Sequence, residues 1–280
     1  MKISWSGTQL KRLREIGADD SFLNCQFDHN DERDIAYLNL EQRLSAQARG
    51  ELSSMLSGNG RHCLSVLECR LIESLTSYGF VQVLTPIIMS RGLLVKMSIS
   101  DDHPLNKQIY WIDRHRCLRP MLAPHLYYVS KDLLRLGKRP VRIFEVGPCF
   151  RKESAGARHS TEFTMLNLVE WGLPFEIRES RLKELAHIVV TSAGISEYHF
   201  VQKQSEVYGE TIDVVSDKSG LELGSAAMGP HTLDHAWKIR ENWMGIGFGL
   251  ERLLMVSRNS HNISSISRSL TYLNGIRLNV

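Results

Sequence analysis

The chain has 280 residues, of which 42% are hydrophobic and 23% are charged, an ordinary composition for a globular protein of one large domain or two. The net charge of +3 is compatible with a nucleic-acid partner but does not indicate one. No apolar run reaches the roughly 20 residues that span a bilayer, and the amino terminus does not resemble a signal peptide. The five cysteines form no C-x-x-C pair, so we expect free thiols and a cytoplasmic protein without a membrane anchor.

The first 58 residues are predicted to form a separate helical appendage. Apolar residues recur there at near-helical spacing until Gly17, with three basic residues on the other faces. The apolar positions are Trp5, Leu10, Leu13 and Ile16, and the basic positions are Lys11, Arg12 and Arg14. A second helix is predicted from Asp31 to Met55, followed by a linker over residues 57–60. A solvated helix face and contact with RNA explain the basic positions equally well. Residues 59–280 are predicted to form the main domain.

The main domain is predicted to begin with a helix and an extended segment. Apolar residues from Leu64 to Leu75 follow helical spacing, and the run FVQVLTPII places Pro86 where a strand edge or end tolerates it. Residues 107–119 are predicted to form two strands around a turn. A helix with a proline close to its first turn is expected to begin within residues 120–127 and to end near Gly137.

Residues 142–170 are predicted to form a hairpin, because apolar β-formers flank a short loop of Ser, Gly, Ala and His. Arg151 and Glu153 are two residues apart and share one face of a strand, and His159 and Phe163 lie on the return. A guanidinium binds phosphate or carboxylate with two hydrogen bonds, a carboxylate can accept from an amine, and an aromatic ring stacks on a base. Taken alone, an R-x-E pair is more typical of a solvated ion pair on a surface hairpin.

Three further elements complete the predicted sheet and its helices. A helix is expected over residues 176–193 and a strand over residues 207–215. Residues 221–229 are predicted to form a strand of small residues that carries Glu222 and Ser225, whose oxygens suit a hard cation. An exposed strand with one charge is the alternative interpretation.

The segment from Gly245 to Leu254 combines a glycine-rich strand with the start of a helix. Alternate glycines clear one face of the strand, and the helix begins with Glu251 and Arg252. The pattern lacks the last spacing of a dinucleotide fingerprint and the lysine of a P-loop. Residues 252–280 contain no Asp or Glu, so this basic segment either faces phosphates or serves as a structural tail.

In combination these segments resemble the class II aminoacyl-tRNA synthetases. Phe150-Arg151-x-Glu153 followed by His159-x-x-x-Phe163 resembles motif 2 of that family, and G-x-G-x-G-x-E-R at residues 245–252 resembles motif 3. The long helix and the strand ending at Pro86 resemble motif 1, which forms the dimer interface in the family. The three motifs occur in the family's order. The resemblance implies an α+β fold, with an antiparallel sheet flanked by helices and a short helical appendage before it.

Residues 60–280 resemble in particular the catalytic core of the pyrrolysine-specific members of the family. The matching segments are LRPMLAP-x-LY, VRIFEVGPCFRKES, EFTMLNL, YGETIDV, LEL-x-SA, W-x-G-x-GFGLERLL and RSL-x-YLNG. The first 58 residues resemble the short helical leader of the bacterial-type or leaderless forms, and the separate tRNA-binding domain of the long archaeal form has no counterpart in this sequence. Two positions depart from the pattern, since His125 stands where asparagine is expected and Gly224 where serine is expected.

The resemblance implies a two-step acyl transfer. A substrate carboxylate attacks the α-phosphate of ATP, and the terminal ribose of a tRNA then attacks the adenylate. The implied catalytic residues are Arg151 at the α-phosphate and substrate carboxylate, Glu153 at the adenine amine, and Arg252, which meets the γ-phosphate and encloses the base with Phe163. His159 would lie near the phosphates, and Glu222 and Ser225 would hold Mg²⁺. The implied ATP-binding set is Arg151, Glu153, His159, Ser160, Phe163, Met165, Glu222, Leu223, Gly224, Ser225, Gly249 and Arg252.

The resemblance also implies an amino-acid pocket, with Tyr208 on a mobile lid. Its residues are Leu122, Ala123, Leu126, Tyr127, Asn167, Val169, Tyr208, Met228, Trp243 and Gly245. This set is apolar and contains no carboxylate, so a buried lysine ammonium would lack a partner there. An Nε-acylated lysine, pyrrolysine in the natural case, fits better, because its carbonyl can accept from the Asn167 amide. Alternatively, Asn167 only satisfies backbone groups between two strands.

The partners implied by the resemblance are a cognate tRNA, pyrrolysine and a second copy of the chain in a homodimer, and the sequence leaves open whether a separately encoded tRNA-binding protein assists. Two other functions remain open at this point. A related ligase could join an amino acid to a protein or small molecule without tRNA, and an inactive relative could bind only tRNA or a regulatory ligand. The presence of Arg151, Glu153, Phe163, Glu222 and Arg252 together argues against the inactive relative. The helical leader argues against the ligase of small molecules.

Overall fold

A computed structural model describes residues 2–58, 60–152, 160–260 and 262–280. The chain divides into two compact units, one formed by Met1–Cys63 with Ser260–Val280 and the other by Leu64–Asn259. The first unit therefore includes the carboxyl-terminal segment, which the sequence had assigned to the main domain. Among the described residues, no helix has both the length and the apolar character needed to cross a membrane.

Nine α-helices occur in the described part of the chain. Their bounds are α1 Gly7–Glu15, α2 Asp20–Leu23, α3 Asn30–Ser57, α4 Cys63–Ser77, α5 Arg91–Val95, α6 Ala123–Leu134, α7 Arg178–Ser192, α8 Asp234–Trp237 and α9 Leu250–Ser257. Short 3₁₀ helices occupy Pro104–Gln108, Phe175–Ile177 and Ile263–Ser265.

Eleven strands accompany these helices in the same described residues. Their bounds are β1 Val81–Gln82, β2 Ile88–Ser90, β3 Arg116–Leu118, β4 Val141–Phe150, β5 Glu162–Trp171, β6 Tyr198–Ser205, β7 Gly209–Ser216, β8 Glu222–Gly229, β9 Trp243–Gly249, β10 Tyr272–Leu273 and β11 Ile276–Arg277. Of the two strands predicted over residues 107–119, the second is observed as β3, and the first is reduced to the antiparallel bridge between Trp111 and Cys117, preceded by a 3₁₀ helix.

The first unit packs α1, α2 and α3 around an apolar core. The α1 helix begins with a capping box between Ser6 and Gln9 and is followed by Gly17 at φ +83°, which suits a glycine just after a helix end. The core contains Trp5, Leu13, Ile16, Leu23, Phe27 and Leu40, and Val280 packs against it. The predicted helices over residues 5–16 and 31–55 are therefore observed, with α2 between them.

Charged residues in this unit bind one another. Arg12, one of the three basic residues of α1, contacts Glu41 at 2.8 Å and also donates to Asn279. Arg277 contacts Glu15 at 2.8 Å. Lys11 and Arg14 are exposed. Two of the basic residues that could have faced phosphates thus stabilise the packing of the carboxyl-terminal segment on the helices of the same unit.

The second unit is organised by a seven-stranded sheet in the order β1-β4-β5-β9-β8-β7-β6. The β1 strand pairs parallel to β4, and all other neighbours pair antiparallel. The predicted α+β fold with an antiparallel sheet and flanking helices is confirmed. The edge strand β6 was not predicted, because most of its residues are partly or fully exposed and its sequence lacks an apolar alternation.

One face of the sheet, here called the site face, is defined by the odd-numbered residues of β5. These residues are Phe163, Met165, Asn167, Val169 and Trp171. Asn167 pairs with Glu145 of β4 and with Gly247 of β9, which pairs in turn with Ser225 of β8. Paired residues of neighbouring strands point to the same side of a sheet, so all of these positions share the site face.

The opposite face of the sheet is covered by α7. Its Arg181 donates to Glu170 at 2.9 Å, and Glu170 alternates with the site-face residues of β5. On this side of the sheet Leu166, Leu168 and Phe248 are fully buried. The site face is more open, because Phe163, Met165 and Asn167 and the glycines of β9 are only half-buried.

Gly224, one of the two departures from the family pattern, lies where two strands leave no room for a side chain. It pairs with Phe248, and a Cβ at this position would lie 2.5 Å from Cδ1 of that ring and 2.6 Å from the Gly247 carbonyl oxygen. No side chain fits there unless the buried Phe248 moves.

We therefore expect Gly224→Ser to destabilise the protein by about 1–3 kcal/mol, the usual cost of overpacking a well-packed interior. Chemical denaturation followed by circular dichroism measures this change. Gly92→Ala in α5 is the matched control, because a Cβ there meets nothing within 4 Å. Equal stability of Gly224→Ser and the wild type would contradict the packing account.

Candidate active site

Three alternate glycines of β9 open the centre of the site face. Gly245, Gly247 and Gly249 pair with Val169, Asn167 and Met165 of β5, so all three point to the same side. A Cβ at Gly247 would meet the Met165 methyl at 3.2 Å, and a Cβ at Gly245 would meet the Leu168 carbonyl oxygen at 3.3 Å. The glycines thus leave a strip of exposed backbone between the two ends of the face, as the sequence pattern predicted.

The first end of the strip carries Arg151 and Phe163. The Arg151 Nε donates to the Pro120 carbonyl oxygen at 2.9 Å, and its guanidinium carbon lies 5.4 Å from the centre of the Phe163 ring, within cation–π range. The backbone N–H of Arg151 donates to Thr161 across the hairpin. These contacts orient the guanidinium toward the ring. Glu153 and His159 lie outside the described residues, and Ser160 donates to the Glu162 carbonyl oxygen at 2.6 Å.

Arg252 and Glu222 meet at the same end of the strip. The aliphatic stem of Arg252 lies over Gly249, and its Nη1 contacts the Glu222 carboxylate at 3.1 Å. The guanidinium of Arg252 thus faces Glu222, whereas the ring of Phe163 faces Arg151. Both side chains of the Arg252–Glu222 pair are partly exposed, so each can exchange its partner for a phosphate or a cation.

A strand irregularity brings Glu222 to the site face. Residues three apart on a regular strand point to opposite sides, which would separate Glu222 from Ser225. The pairing of β7 with β8 shifts by one residue, because Val214 faces Gly224 whereas Val215 faces Glu222. The extra residue is Leu223, which is fully buried. Such a bulge reverses the alternation locally, and Glu222 consequently reaches Arg252.

Oxygen ligands suitable for Mg²⁺ are present beside this pair. Ser225 lies on the site face next to Asp213 of β7, a buried carboxylate that the sequence analysis overlooked. No cluster of three His, Cys, Asp or Glu side chains occurs among the described residues. A dedicated protein cage is not needed for Mg²⁺ in nucleotide sites, where one or two carboxylates act with the phosphates. Glu222 and Ser225 therefore fit this ion.

A hydrogen-bonded contact between Glu251 and Thr164 joins the start of α9 to β5. Glu251, the first charged residue of α9, is buried and accepts the backbone N–H of Thr164 on both carboxylate oxygens at 2.9 Å. This N–H lies just beyond Met165↔Gly249, the last pair between β5 and β9. Glu251 therefore fixes the start of α9 to the sheet, and that anchoring sets the position of Arg252.

The second end of the strip is an aromatic box. Tyr127 of α6 forms one of its walls, with ring centroids 5.2 Å from Trp171, 5.3 Å from Trp237 and 5.9 Å from Trp243. Leu126 and Val169 are buried in the same cluster, and Ala123 packs against it. Leu122 is fully buried at the start of α6. Most of the predicted amino-acid pocket is thus assembled here, and Trp171 and Trp237 are additions to it.

Met228 is not part of this box. It pairs with Met244, whereas its neighbours Ala227 and Gly229 pair with Gly245 and Trp243 of the site face. Met228 therefore lies on the opposite side of the sheet from Val169, and Ala227 takes its place in the buried cluster. The prediction that Met228 lines the amino-acid pocket is therefore corrected. Side chains alternate along a strand, so Met228, three residues after the site-face residue Ser225, points to the opposite side.

Asn167 lies on the strip between the two ends. Its Nδ2 donates to the Ile246 carbonyl oxygen at 3.0 Å, which is the backbone contact that the alternative interpretation expected. An amide nitrogen has two hydrogens and the amide oxygen accepts two hydrogen bonds. The contact with Ile246 uses one of these hydrogens, and the Nδ2 also lies 3.5 Å from the Leu168 carbonyl oxygen. The second contact is long and therefore weak, so an acceptor on a ligand above Gly247 can replace it.

A buried carboxylate borders the box, contrary to the expectation of a pocket without one. Asp234 of α8 accepts from the Tyr127 hydroxyl at 2.9 Å, from the Trp243 indole N–H at 2.9 Å and from the His231 backbone N–H at 2.7 Å. Burial, together with the neighbouring Tyr208 and Asp234, raises the pKa of Tyr127 well above its usual range. The hydroxyl therefore remains protonated and acts as a donor.

Tyr208 covers the box from the turn between β6 and β7. Its ring centroid lies 6.1 Å from that of Trp243 and 5.9 Å from that of His231. The His231 Nε2 lies 3.1 Å from the Tyr208 carbonyl oxygen. Burial raises the pKa of Tyr208 above its usual range, so this hydroxyl is also neutral. In this structure Tyr208 is in contact with the box.

His125, the second departure from the family pattern, faces a buried polar network instead of the box. Its Nδ1 lies 3.0 Å from the Thr85 hydroxyl, which donates to Glu145 at 2.7 Å. Arg119 contacts Glu145 at 2.7 Å, and both side chains are almost fully buried. Burial, and then the charge of Arg119, lowers the pKa of His125, although Glu145 opposes this. The ring is consequently neutral at neutral pH and suits the hydrogen bond that an asparagine could also make.

Comparison with known families places this arrangement among the tRNA synthetases. Residues 51–275 match the family described as tRNA synthetases class II core domain (F). The chain is 25% identical over 249 residues to the phenylalanine–tRNA ligase alpha subunit of Chlamydia trachomatis serovar D, covering 82% of this chain and 71% of that protein. It is 26% identical over 167 residues to the lysine–tRNA ligase of Staphylococcus aureus, covering 56% of this chain but only 29% of that protein.

Solved structures resemble the whole chain. The crystal structure of pyrrolysyl-tRNA synthetase from Desulfitobacterium hafniense superposes with a TM-score of 0.93 at 46% identity, covering 99% of each chain. A second structure of a pyrrolysyl tRNA synthetase from that organism gives a TM-score of 0.90 at 45% identity, covering 99% of this chain and 96% of the other. The relatives are thus named for phenylalanine, lysine and pyrrolysine. The chemistry of the aromatic box is therefore the basis for choosing among these three amino acids.

Proposed function

We propose that this chain, which belongs to the class II aminoacyl-tRNA synthetases, activates pyrrolysine as an adenylate and transfers it to the 3′ end of a cognate tRNA. The observation that carries the proposal is the site face, which joins a charged end suited to a nucleotide to an aromatic box suited to a large apolar side chain. The likeness to pyrrolysyl-tRNA synthetase along 99% of both chains supports the same assignment.

The site face has the length that such a reaction needs. A strand rises about 3.3 Å per residue, so about 13 Å separates Phe163 from Asn167 and about the same distance separates Asn167 from Trp171. A nucleotide on the Phe163 side and an amino-acid side chain on the Trp171 side would meet near the glycine strip. Gly247 and Gly249 expose their backbone at that point, which allows the two reacting groups to approach the sheet closely.

The residues of the chain catalyse such a reaction by positioning and by stabilising charge. Arg151, held by Pro120, can bind the substrate carboxylate and the α-phosphate together and bring them into line. Arg252 can leave Glu222 for the phosphates, and Phe163 can stack on the adenine. Orientation of this kind accounts for a large part of catalysis when bonds form between bound groups. Glu153 and His159, outside the described residues, keep their proposed roles at the adenine amine and the phosphates.

Class II synthetases in general use ATP and Mg²⁺. In this chain Glu222 and Ser225 would hold the ion, with Leu223, Gly224 and Gly249 forming the adjoining backbone. The ion would neutralise charge on the phosphates when it is bound. Release of Glu222 from Arg252 would provide a carboxylate for the cation and a guanidinium for the phosphate in one exchange.

The box favours a long, uncharged side chain over that of free lysine. Its walls are aromatic and aliphatic, and three donors already occupy the oxygens of Asp234. A lysine ammonium would lose its hydration without gaining an available anion. The carbonyl of an Nε-acylated lysine loses less and can accept from the Asn167 amide hydrogen that otherwise makes only the long contact with Leu168. A phenylalanine side chain would leave that hydrogen unmatched.

The tRNA partner follows from membership of the family. We propose that residues 1–58 contact this tRNA, with Lys11 and Arg14 as exposed cations and Arg12 as a structural residue. A separately encoded tRNA-binding protein remains part of the proposal. Ligation without tRNA is less well supported, because the likeness to a tRNA synthetase extends over 99% of this chain.

Substrate identity is tested by amino-acid-dependent pyrophosphate exchange with pyrrolysine, an Nε-carbamate lysine and free lysine. We expect the wild type to prefer the two acylated forms strongly, since a site built around a hydrogen bond can reject analogues that lack it by about 10⁴-fold. Asn167→Ala should reduce exchange with the acylated forms and leave the KM for ATP unchanged. Activation of free lysine as readily as the acylated forms would contradict this account of the box.

Arg252→Ala should lower pyrophosphate exchange by about 10²–10³-fold, roughly 3–4 kcal/mol, the usual cost of removing one preorganised charge contact. The fold should remain intact, because the side chain is partly exposed. Arg258→Ala, an exposed arginine directly after the same helix, is the matched control and should retain exchange. Near-normal exchange in Arg252→Ala would remove this residue from the site.

A homodimer is the proposed assembly, because the segment around β1 and β2 exposes apolar residues that one chain leaves uncovered. These residues are Val81, Leu84, Ile87 and Ile88, and Leu84 is 80% exposed. Leu84→Glu should therefore give a monomer in sedimentation at micromolar concentration. Leu136→Glu, at an exposed leucine beyond α6, should stay dimeric. A wild-type monomer under these conditions would contradict the proposal.

A further inference from the structure

Asp234 joins three separate parts of the aromatic box. Its Oδ1 accepts from the Tyr127 hydroxyl of α6, and its Oδ2 accepts from the Trp243 indole of β9 and from the backbone N–H of His231. The three distances fall between 2.7 and 2.9 Å. The side chain is almost fully buried, so water cannot easily replace these donors.

The geometry points to Asp234 as the positioning residue that sets the amino-acid specificity of this site. Asp234 acts through the aromatic walls that it holds, and its hydrogen bonds to described residues go to Tyr127, His231 and Trp243, none of which lies at the nucleotide end. This inference rests on the proposed function, because it assumes that the box binds the amino-acid side chain.

The orientation of the Trp243 wall depends on this hydrogen bond. Its indole lies over Gly229, where a Cβ would overlap the ring. The space above Gly229 therefore admits the indole, and the bond from Nε1 to Asp234 selects its rotation. Loss of the acceptor would leave a buried indole N–H unsatisfied, which costs more than a hydrogen bond contributes.

The Tyr208 wall is connected to the same carboxylate through His231. The backbone N–H of His231 donates to Asp234, and its Nε2 lies 3.1 Å from the Tyr208 carbonyl oxygen. Displacement of Asp234 would thus release the turn that carries Tyr208. Tyr127, Trp243 and Tyr208 consequently form a single unit with one anchor.

The partners of Asp234 also explain how a carboxylate can border a site that rejects lysine. An ionised carboxylate offers about four acceptor positions, and three neutral donors fill them in part. The carboxylate oxygens of Asp234 therefore point toward the walls. A wall that moved away would uncover these oxygens, and the box would then discriminate less against an ammonium group.

The test compares Asp234→Ala with Asp234→Asn in pyrophosphate exchange, using the amino acid that the wild type activates best. Asp234→Ala should raise the KM for the amino acid at least about tenfold and leave the KM for ATP within about twofold. Asp234→Asn should lie between this variant and the wild type, because its amide oxygen can still accept from Trp243 and His231 while its NH₂ donates to the Tyr127 oxygen. Asp132→Asn, an exposed carboxylate on α6, is the matched control and should match the wild type.

Two further measurements separate specificity from a general loss of structure. The preference for acylated over free lysine should fall at least about tenfold in Asp234→Ala, and the near-ultraviolet circular dichroism of the tryptophans should change while the far-ultraviolet spectrum is retained. Tyr127→Phe combined with Asp234→Asn should cost less than the sum of the single changes, since both act on one hydrogen bond. If Asp234→Ala does not fold, the comparison of Tyr127→Phe, Asp234→Asn and their combination still tests whether Asp234 positions the walls of the box.

An unchanged KM for the amino acid in Asp234→Asn and Asp234→Ala, or an equal rise in the KM for ATP, would overturn the inference. Failure of the proposed function gives a different result. In that case the wild type would prefer an amino acid other than an acylated lysine, and the role of Asp234 would still be decided with the preferred substrate.

Discussion

The pairing of β5 with β9 is the constraint on which the site depends. Each site-face residue of β5 from Met165 to Val169 faces a glycine of β9, so the side chains of one strand project over exposed backbone of the other. A shift of one residue would turn Asn167 and Val169 to the covered side and bring Leu168 to the site. Burial of Leu166, Leu168 and Phe248 against the α7 side opposes that shift.

The two ends of the strip have opposite chemistry. Arg151, Arg252 and Glu222 lie at one end, where partial exposure lets charges change partners at modest cost. At the other end a carboxylate is enclosed by neutral donors among aromatic rings. This separation lets one continuous face bind a polyanion and an apolar side chain, and Asn167 stands between them as the polar contact for the middle of the substrate.

The elements that local pattern determines could be predicted from the sequence. The strands β4 and β5, the alternate glycines of β9 and the helices α1 and α3 follow from strand alternation, glycine spacing and helical periodicity. Met228 lies on the other face because β8 alternates regularly from Ser225 onward, whereas the bulge before Ser225 brings Glu222 to the site face. Its neighbour Ala227, which does lie in the buried cluster of the box, could not be predicted as a pocket residue, because a small side chain in a strand of small residues does not indicate a pocket wall.

Other features depend on tertiary contacts that no local pattern records. Asp234 lies far in sequence from Tyr127, and its surroundings alone suggest only a polar residue at a helix start. The bulge that brings Glu222 to the site face arises from the pairing of β7 with β8. Association of Ser260–Val280 with the first unit likewise rests on contacts such as that between Arg277 and Glu15. The roles of Arg151, Glu222 and Arg252 could be inferred from the motif resemblance, whereas the contacts of their side chains are known only from the structure.

The most direct measurement is aminoacylation of the cognate tRNA by the purified full chain, followed by gel separation of charged and uncharged tRNA. The account predicts charged tRNA that requires pyrrolysine, ATP and Mg²⁺ together and that is not formed with free lysine or phenylalanine. Formation of the adenylate with transfer to a small molecule or protein, and none to tRNA, would contradict it. Equal charging with lysine would contradict the assignment of the aromatic box.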